Sequence, residues 1–162
     1  MAIINLVTEI KTPIERCFDL SRSIDLHTLS TSKTNEQAIA GVTSGLIGLN
    51  ETVTWRAKHF WIHQKLTSKI TEYQFPDFFK DEMISGTFKR LEHMHSFKSE
   101  GDQTIMTDHF EFEAPLGVLG KWAEKWFLTN YLGKFLYERN MTLKNIAESS
   151  DWRKFLPSTT PG

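Results

Sequence analysis

Polar and apolar residues alternate through most of the first two thirds of this chain, and alternation at a period of two predicts strands. Ile4, Leu6, Thr8 and Ile10 mark a first strand over about 2–10. Glu51 to Lys58 places Val53, Trp55 and Ala57 on one face and Thr52, Thr54, Arg56 and Lys58 on the other. A strand over about His63 to Tyr73 follows, with Leu66 and Ile70 inward, and Phe75-Pro76-Asp77 reads as the turn that ends it. Three further runs alternate: Phe79, Asp81 and Met83; Leu91, His93, His95 and Phe97 within Phe88 to Phe97; and Met106, Asp108, Phe110 and Phe112. Short turns make these five runs an antiparallel meander. A weaker strand is expected near Glu36 to Ala40, followed by a connector rich in glycine at Gly41, Gly45 and Gly48. The connector lacks the lysine and the following helix of a phosphate-binding loop.

Two segments between these runs, and the last third of the chain, read as helical. Thr12-Pro13-Ile14-Glu15 has the form of a helix start, with Thr12 at the N-cap, Pro13 first in the helix and Glu15 as capping-box partner. Ile14, Cys17 and Phe18 would face inward, and Ser23 to Leu29 predicts a second short helix. After Ala114-Pro115-Leu116-Gly117 the period changes: Leu119, Trp122, Trp126, Tyr131 or Leu132, Phe135, Leu136, Leu143 and Ile146 fall on one face of a helix over about 117–148. At 1.5 Å per residue it would run roughly 45 Å, enough to cross a small sheet. Gly133 within it is unfavourable by about 1 kcal/mol relative to alanine and marks a kink or a close approach. The pattern is that of one α+β domain over 1–148 with a tail, 149–162, expected to be mobile unless Trp152, Phe155 and Leu156 dock or mediate association.

The strand faces carry acids and imidazoles among core-type residues. Positions two apart on a strand face one side, so Leu91, His93, His95 and Phe97 share a surface. Asp81 and Asp108 each stand on the apolar face of a neighbouring run. A turn near Gly86-Thr87-Phe88 pairs 81 with 93, and a turn over Ser99-Glu100-Gly101-Asp102 pairs 98 with 103 and therefore 93 with 108. Asp81, His93 and Asp108 then form one cross-strand row, while His95 faces Phe79 and Met106. In such a row a carboxylate orients the imidazole and raises its basicity, which suits proton transfer on a bound carbonyl compound. The same groups also make a hydrogen-bonded layer that orients a ligand. A metal held by His93, His95 and a carboxylate is a third reading, but His-x-His pairs on strands usually bind nothing, so no metal and no cofactor are expected. Cys17 has no basic partner except Arg16 and reads as a buried structural thiol. His59 and His63 flank Phe60-Trp61 in a hairpin and read as surface turn residues.

Composition narrows the partners. Across 162 residues, 19 Lys plus Arg stand against 20 Asp plus Glu, without the basic excess of a nucleic-acid protein. Cys17 is the only cysteine, which excludes an intrachain disulfide and a Cys-rich zinc site and fits a reducing, cytoplasmic setting. The sequence contains no apolar run long enough to span a bilayer, and Met1-Ala2-Ile3-Ile4-Asn5 has no secretory pattern, so stable membrane insertion is not expected. Twelve Phe and five Trp exceed what a small core usually needs, which points to an aromatic-rich core or a cavity lined with rings.

The order of a strand, two short helices, six antiparallel strands and one long C-terminal helix resembles the START-like helix-grip superfamily, also called SRPBCC. The closer similarity is to small bacterial members described as cyclase/dehydrase-like or polyketide cyclase-like. It spans about 2–148 and rests on Thr12-Pro13-Ile14-Glu15-Arg16-Cys17-Phe18-Asp19, on Gly48 followed by Glu51-Thr52-Val53-Thr54-Trp55-Arg56-Ala57, and on Phe79-Lys80-Asp81-Glu82-Met83. Gly86-Thr87-Phe88, His93-Met94-His95-Ser96-Phe97, and Asp108 with Pro115-Leu116-Gly117 complete it. The resemblance implies a curved antiparallel sheet of six to seven strands wrapped around the C-terminal helix, and an elongated cavity between them that holds apolar molecules. Trp55, Leu66, Phe79, Met83, Phe110, Phe112, Trp122 and Trp126 would line that space, with Glu51, Asp81, His93, His95 and Asp108 at its polar end.

Some members of that superfamily are enzymes and others only hold a ligand, so fold leaves function open. The principal expectation is binding of an apolar or amphipathic, lipid- or polyketide-like molecule. The enzyme alternative is a cyclase, dehydratase or isomerase with His93 as acid/base and Asp81 or Asp108 as its orienter. A third is a module that binds a protein partner, suggested by the aromatics Phe60, Trp61, Trp152 and Phe155.

Overall fold

A computed structural model describes residues 1–59, 61–114 and 122–158. The elements are β1 (Ala2–Ile10), α1 (Ile14–Ser21), α2 (Ile24–Ser30), a 3-10 turn (Ser32–Thr34), β2 (Gln37–Gly41), β3 (Thr52–His59), β4 (Ile62–Gln74), β5 (Phe78–Ser85), β6 (Arg90–Glu100) and β7 (Gln103–Glu113). A π-helical turn (Ala123–Leu128), α3 (Thr129–Glu148) and a 3-10 helix (Ser150–Lys154) follow. The strands form one seven-stranded antiparallel sheet in the order β1-β7-β6-β5-β4-β3-β2. Alternation is visible in burial: Val53, Trp55 and Ala57 are buried on β3, and Leu91, His93, His95 and Phe97 on β6. Bulges between Thr67 and Ser68 and between Ile70 and Glu72 bend the long β4. The concave face thereby closes around α3.

Two apolar clusters hold the layers together. Phe18 of α1 meets Tyr73, Phe75, Phe79 and Phe97 at ring-centroid distances of 5.2, 5.1, 5.3 and 5.3 Å, anchoring the short helices to the sheet. Leu132 and Leu136 of α3 pack with Ile4, Leu91, Phe110 and Phe112. At the far end of the helix, Leu143 and Ala147 join the first cluster, and Trp152, Phe155 and Leu156 pack against it, with the Arg16 guanidinium 3.9 Å above the Trp152 ring. Cys17 is fully buried, and burial, aided by the Asp108 charge, pushes its thiol up to about 12. That makes it an inert packing group at neutral pH. Among the described residues no helix is long and apolar enough to cross a membrane.

Several local expectations need correction. α1 starts at Ile14 after Pro13, with no side-chain cap, and the Thr12 hydroxyl is buried without a hydrogen-bond partner among the described residues, so the capping box does not form. Among the described residues, nothing beyond its own helix backbone lies within 4 Å of where a Gly133 side chain would begin, so no close approach is seen there. The regular α-helix begins at Thr129, and position 119 lies outside the described residues. Over Ala123–Leu128 the helix is π, which turns the chain less per residue, so the period that seats Leu132, Leu136 and Leu143 does not extend back to the tryptophans. Trp122 and Trp126 are 62% and 66% exposed and stack on each other, their rings 6.3 Å apart. They do not line the space beneath the helix.

Candidate functional site

The β6–β7 hairpin turns through only two residues, Gly101 and Asp102, with Glu100 opposite Gln103. Gly101 has φ +61 at the first central position, the place a type II′ turn reserves for glycine. The expected longer turn would have paired 93 with 108; the tighter one shifts the register by two, so His93 faces Phe110 and His95 faces Asp108. A shift of two preserves parity, so the same side chains still point inward. On the other side, His93 pairs with Asp81 and His95 with Phe79 as expected.

The side chains converge all the same. His93 Nε2 donates to Asp108 Oδ1 at 2.7 Å, along the diagonal of the ladder. His95 Nδ1 lies 2.9 Å from the same oxygen but off the hydrogen-bonding direction, and His95 Nε2 is 3.4 Å from Asp81 Oδ1. The two imidazoles overlap at 3.8 Å, and His95 stacks on Phe79 at 4.4 Å. From α3, Asn140 Nδ2 donates to Asp108 Oδ2 at 2.6 Å and to Thr8 Oγ1 at 3.2 Å. Arg139 Nη1 stands 3.9 Å from Asp108 Oδ1, and its Nη2 donates to the Ser21 carbonyl.

Burial disfavours charge on both histidines, and their partners decide the outcome. For His93, burial and the neighbouring His95 outweigh Asp108 and pull the pKa down to about 4. For His95, burial is again the largest single influence, but Asp108 and Asp81 together outweigh it and raise the pKa. Burial opposes ionisation of both carboxyls, yet the imidazoles hold Asp108 well below the usual carboxylate range and lower Asp81 as well. The cluster is thus two carboxylates balanced by a guanidinium and an imidazole that favours its cation, beside a neutral His93. Because Asp108 can only accept, His93 carries its proton on Nε2, which leaves Nδ1 as an acceptor.

A cavity with about 180 Å³ of water-accessible space lies between this cluster, the sheet and α3. That is an order of magnitude more than one water requires. Of the expected lining, Trp55, Leu66, Phe79, Asp81, His93, His95 and Phe110 border it. Asp108 sits fully buried behind the histidines, Phe112 is sealed beneath Leu132 and Leu136, and Met83 packs at the edge of that cluster. Glu51 is exposed, and its Oε2 accepts from the Gly48 backbone N–H at 2.6 Å, so it closes a turn instead of meeting the cavity. The cavity reaches the surface beside Lys65 and Thr87, the exposed members of its lining.

The polar lining residues that were not expected include His27, Glu36, His59 and Arg139. His59 turns inward from the end of β3 and is not a surface turn residue, whereas His63 is exposed. Arg139 had a visible signal, since it falls in the apolar stripe between Leu136 and Leu143 where another aliphatic residue would fit. Glu36 had none, because it precedes a short strand without alternation and its partners lie on other elements.

No family model matches the sequence, and no curated protein matches it. Solved structures do match. A START superfamily protein from Mycobacterium smegmatis superposes with a TM-score of 0.69 at 12% identity, covering 91% of this chain and 98% of that one. The major latex-like protein 151 of Panax ginseng gives 0.66 at 14% identity, covering 91% and 98%. Aha1 from Colwellia psychrerythraea gives 0.63 at 16% identity, covering 91% and 97%. At these identities the likeness speaks for architecture, and with the seven-stranded sheet, the two early helices and the C-terminal helix it establishes that this chain has the START-like helix-grip fold.

Proposed function

We propose that the protein binds an elongated, largely apolar small molecule, lipid- or polyketide-like, in the cavity between sheet and α3, with a polar group of the ligand against Asp81, His93 and His95. The observation that carries this reading is the cavity itself: an unfilled space walled by Trp55, Leu66, Phe110 and Leu136, with a compensated polar cluster on one side. Aliphatic and aromatic walls supply affinity by removing apolar surface from water, about 25 cal/mol per Å² buried. Asp81 can accept from a hydroxyl and His93 Nδ1 can do the same, which orients the ligand. The single buried cysteine suits a reducing, cytoplasmic location.

Native mass spectrometry of protein purified from its host tests this, together with titration of an environment-sensitive apolar dye. The expected result is a co-purifying small molecule, or dye binding that a Leu66→Trp variant loses. Protein that carries no ligand and takes up no dye would overturn it.

A second reading has its own observation. A neutral imidazole anchored through Nε2–H to a buried carboxylate, with Nδ1 unprotonated, is the arrangement of a general base. On this reading His93 withdraws a proton from a bound carbonyl compound, Asp108 orients it, and the neighbouring His95 cation stabilises developing negative charge. Any substrate turned over at an undiminished rate by His93→Gln would defeat it.

A further inference from the structure

The cavity has a second polar cluster, remote from the first, which shares only α3 with it. Glu36, 8% exposed, stands between two histidines: His27 Nε2 of α2 lies 2.7 Å from its Oε2, and His59 Nε2 of β3 lies 3.6 Å from its Oε1. His59 Nδ1 in turn lies 2.8 Å from the Tyr131 hydroxyl on α3, and the His27 ring stacks on Trp55 at 4.2 Å. His27, Glu36, Trp55 and His59 all border the same cavity as Asp81, His93 and His95. Burial works against the Glu36 charge, but the two histidines overcome it and hold the carboxyl at about 2. An ionised carboxylate therefore borders a largely apolar space, and among the described residues only Oε2 has a partner within hydrogen-bonding distance. Removing such a charge from water is costly unless its remaining lone pairs are satisfied.

The helix gives the separation. Tyr131 marks the second cluster and Arg139 the first; eight residues apart on α3, they stand about 12 Å apart along the axis at 1.5 Å per residue. Between them the wall is apolar, formed by Leu132, Phe135 and Leu136 facing Leu66 and Phe110.

We infer that His27, Glu36 and His59 form a second ligand subsite, which accepts a hydrogen bond from a donor group of the ligand, so that the molecule bound is uncharged and hydroxylated at both ends of an apolar body. This rests on the proposed ligand-binding function and adds the class of ligand to it. The gap of 3.6 Å between Glu36 Oε1 and His59 Nε2 is too wide for a hydrogen bond and leaves that oxygen a lone pair for a hydroxyl. The first cluster presents Asp81, which likewise accepts. Carboxylate or phosphate ends are disfavoured at both sites, because each would bring a second anion against a buried one.

Calorimetric titration with a matched set of probes separates the two claims. The α,ω-diols of octane and decane should bind about tenfold more tightly than the corresponding mono-alcohols, the gain expected of one added hydrogen bond to a charged acceptor. Octanoate and decanoate should bind more weakly than either. Glu36→Gln should erase the advantage of the diol over the mono-alcohol. His59→Gln should reduce it, which covers the case of a poorly folded Glu36 variant. Mono-alcohols that bind as well as diols, or a diol advantage that survives both substitutions, would overturn the second subsite and leave the ligand-binding function standing. Absence of binding by every probe would overturn both.

Discussion

Asp108 takes its imidazole hydrogen bond, 2.7 Å, from His93 on the ladder diagonal, and not from His95, the residue it directly faces. One buried carboxylate thus lies against two closely spaced, mutually tilted imidazoles and receives the amide of Asn140 on its other oxygen. Asp108→Asn removes the charge that this whole layer is arranged around. Breaking a buried pair from one side costs about 3–5 kcal/mol, and urea unfolding should show a loss of that order.

The two histidines respond to pH in opposite directions. His93 has its pKa lowered from 6.5 to about 4, so the unfolded chain binds the extra proton first, and stability falls as pH drops through that window, by about 3 kcal/mol. His95 is raised, so it contributes stability that is fully present below 6.5 and lost as pH rises through its folded value. Unfolding midpoints at a series of pH values should therefore decline on the acid side, and His93→Gln should flatten that decline between 6.5 and about 4.

Glu36 acts in a lower window. Its carboxyl is depressed from 4.5 to about 2, so its contribution is fully present above 4.5 and disappears as pH falls through about 2. Glu36→Gln should weaken the protein at neutral pH and remove the part of the acid loss that lies below 4.5, leaving the His93 part in place.

Two glycines should respond oppositely to alanine. Gly41 has φ +73, and an added Cβ would lie 2.2 Å from the Thr52 carbonyl oxygen, so Gly41→Ala must displace the β2–β3 edge and destabilise by more than the roughly 1–2 kcal/mol of the dihedral alone. Gly133 lies inside α3 with no described atom beyond its own helix backbone within 4 Å of an added Cβ, so Gly133→Ala should stabilise by up to about 1 kcal/mol. Thermal melts of the two variants check both signs.

Filling the cavity should uncouple binding from folding. Leu66 is half-buried on the cavity wall, and Leu66→Trp should lower affinity for any apolar probe at least about tenfold while shifting the melting temperature by only a few degrees, since the added ring enters open space.

Much of the fold is legible in the sequence because strand alternation is a two-state signal. Val53, Trp55 and Ala57, or Leu91, His93, His95 and Phe97, could face only one of two ways. Inward placement of Asp81, His93, His95 and Asp108 survived a register shift of two for the same reason. Asp81 opposite His93 was legible, but which histidine faces Asp108 was not, because that depended on whether the turn used Gly101-Asp102 alone or a longer stretch. Trp122 and Trp126 went astray because a π-helical turn leaves no mark in apolar spacing. The Glu36 cluster brings together α2, the segment before β2, β3 and α3, and contacts of that kind leave no local pattern to read.

The charges around Asp108 also bear on how fast a ligand can arrive. Asp81 and Asp108 are offset by Arg139 and by His95, whose pKa they raise, within a few ångströms, and the chain as a whole carries a formal charge of −1. Such an arrangement casts little field beyond the cavity, so encounter is governed by diffusion and the width of the opening, not by attraction from a distance. The association rate of an apolar probe carrying one positive charge should therefore change little from low to high ionic strength, and selectivity should reside in how slowly the right molecule leaves.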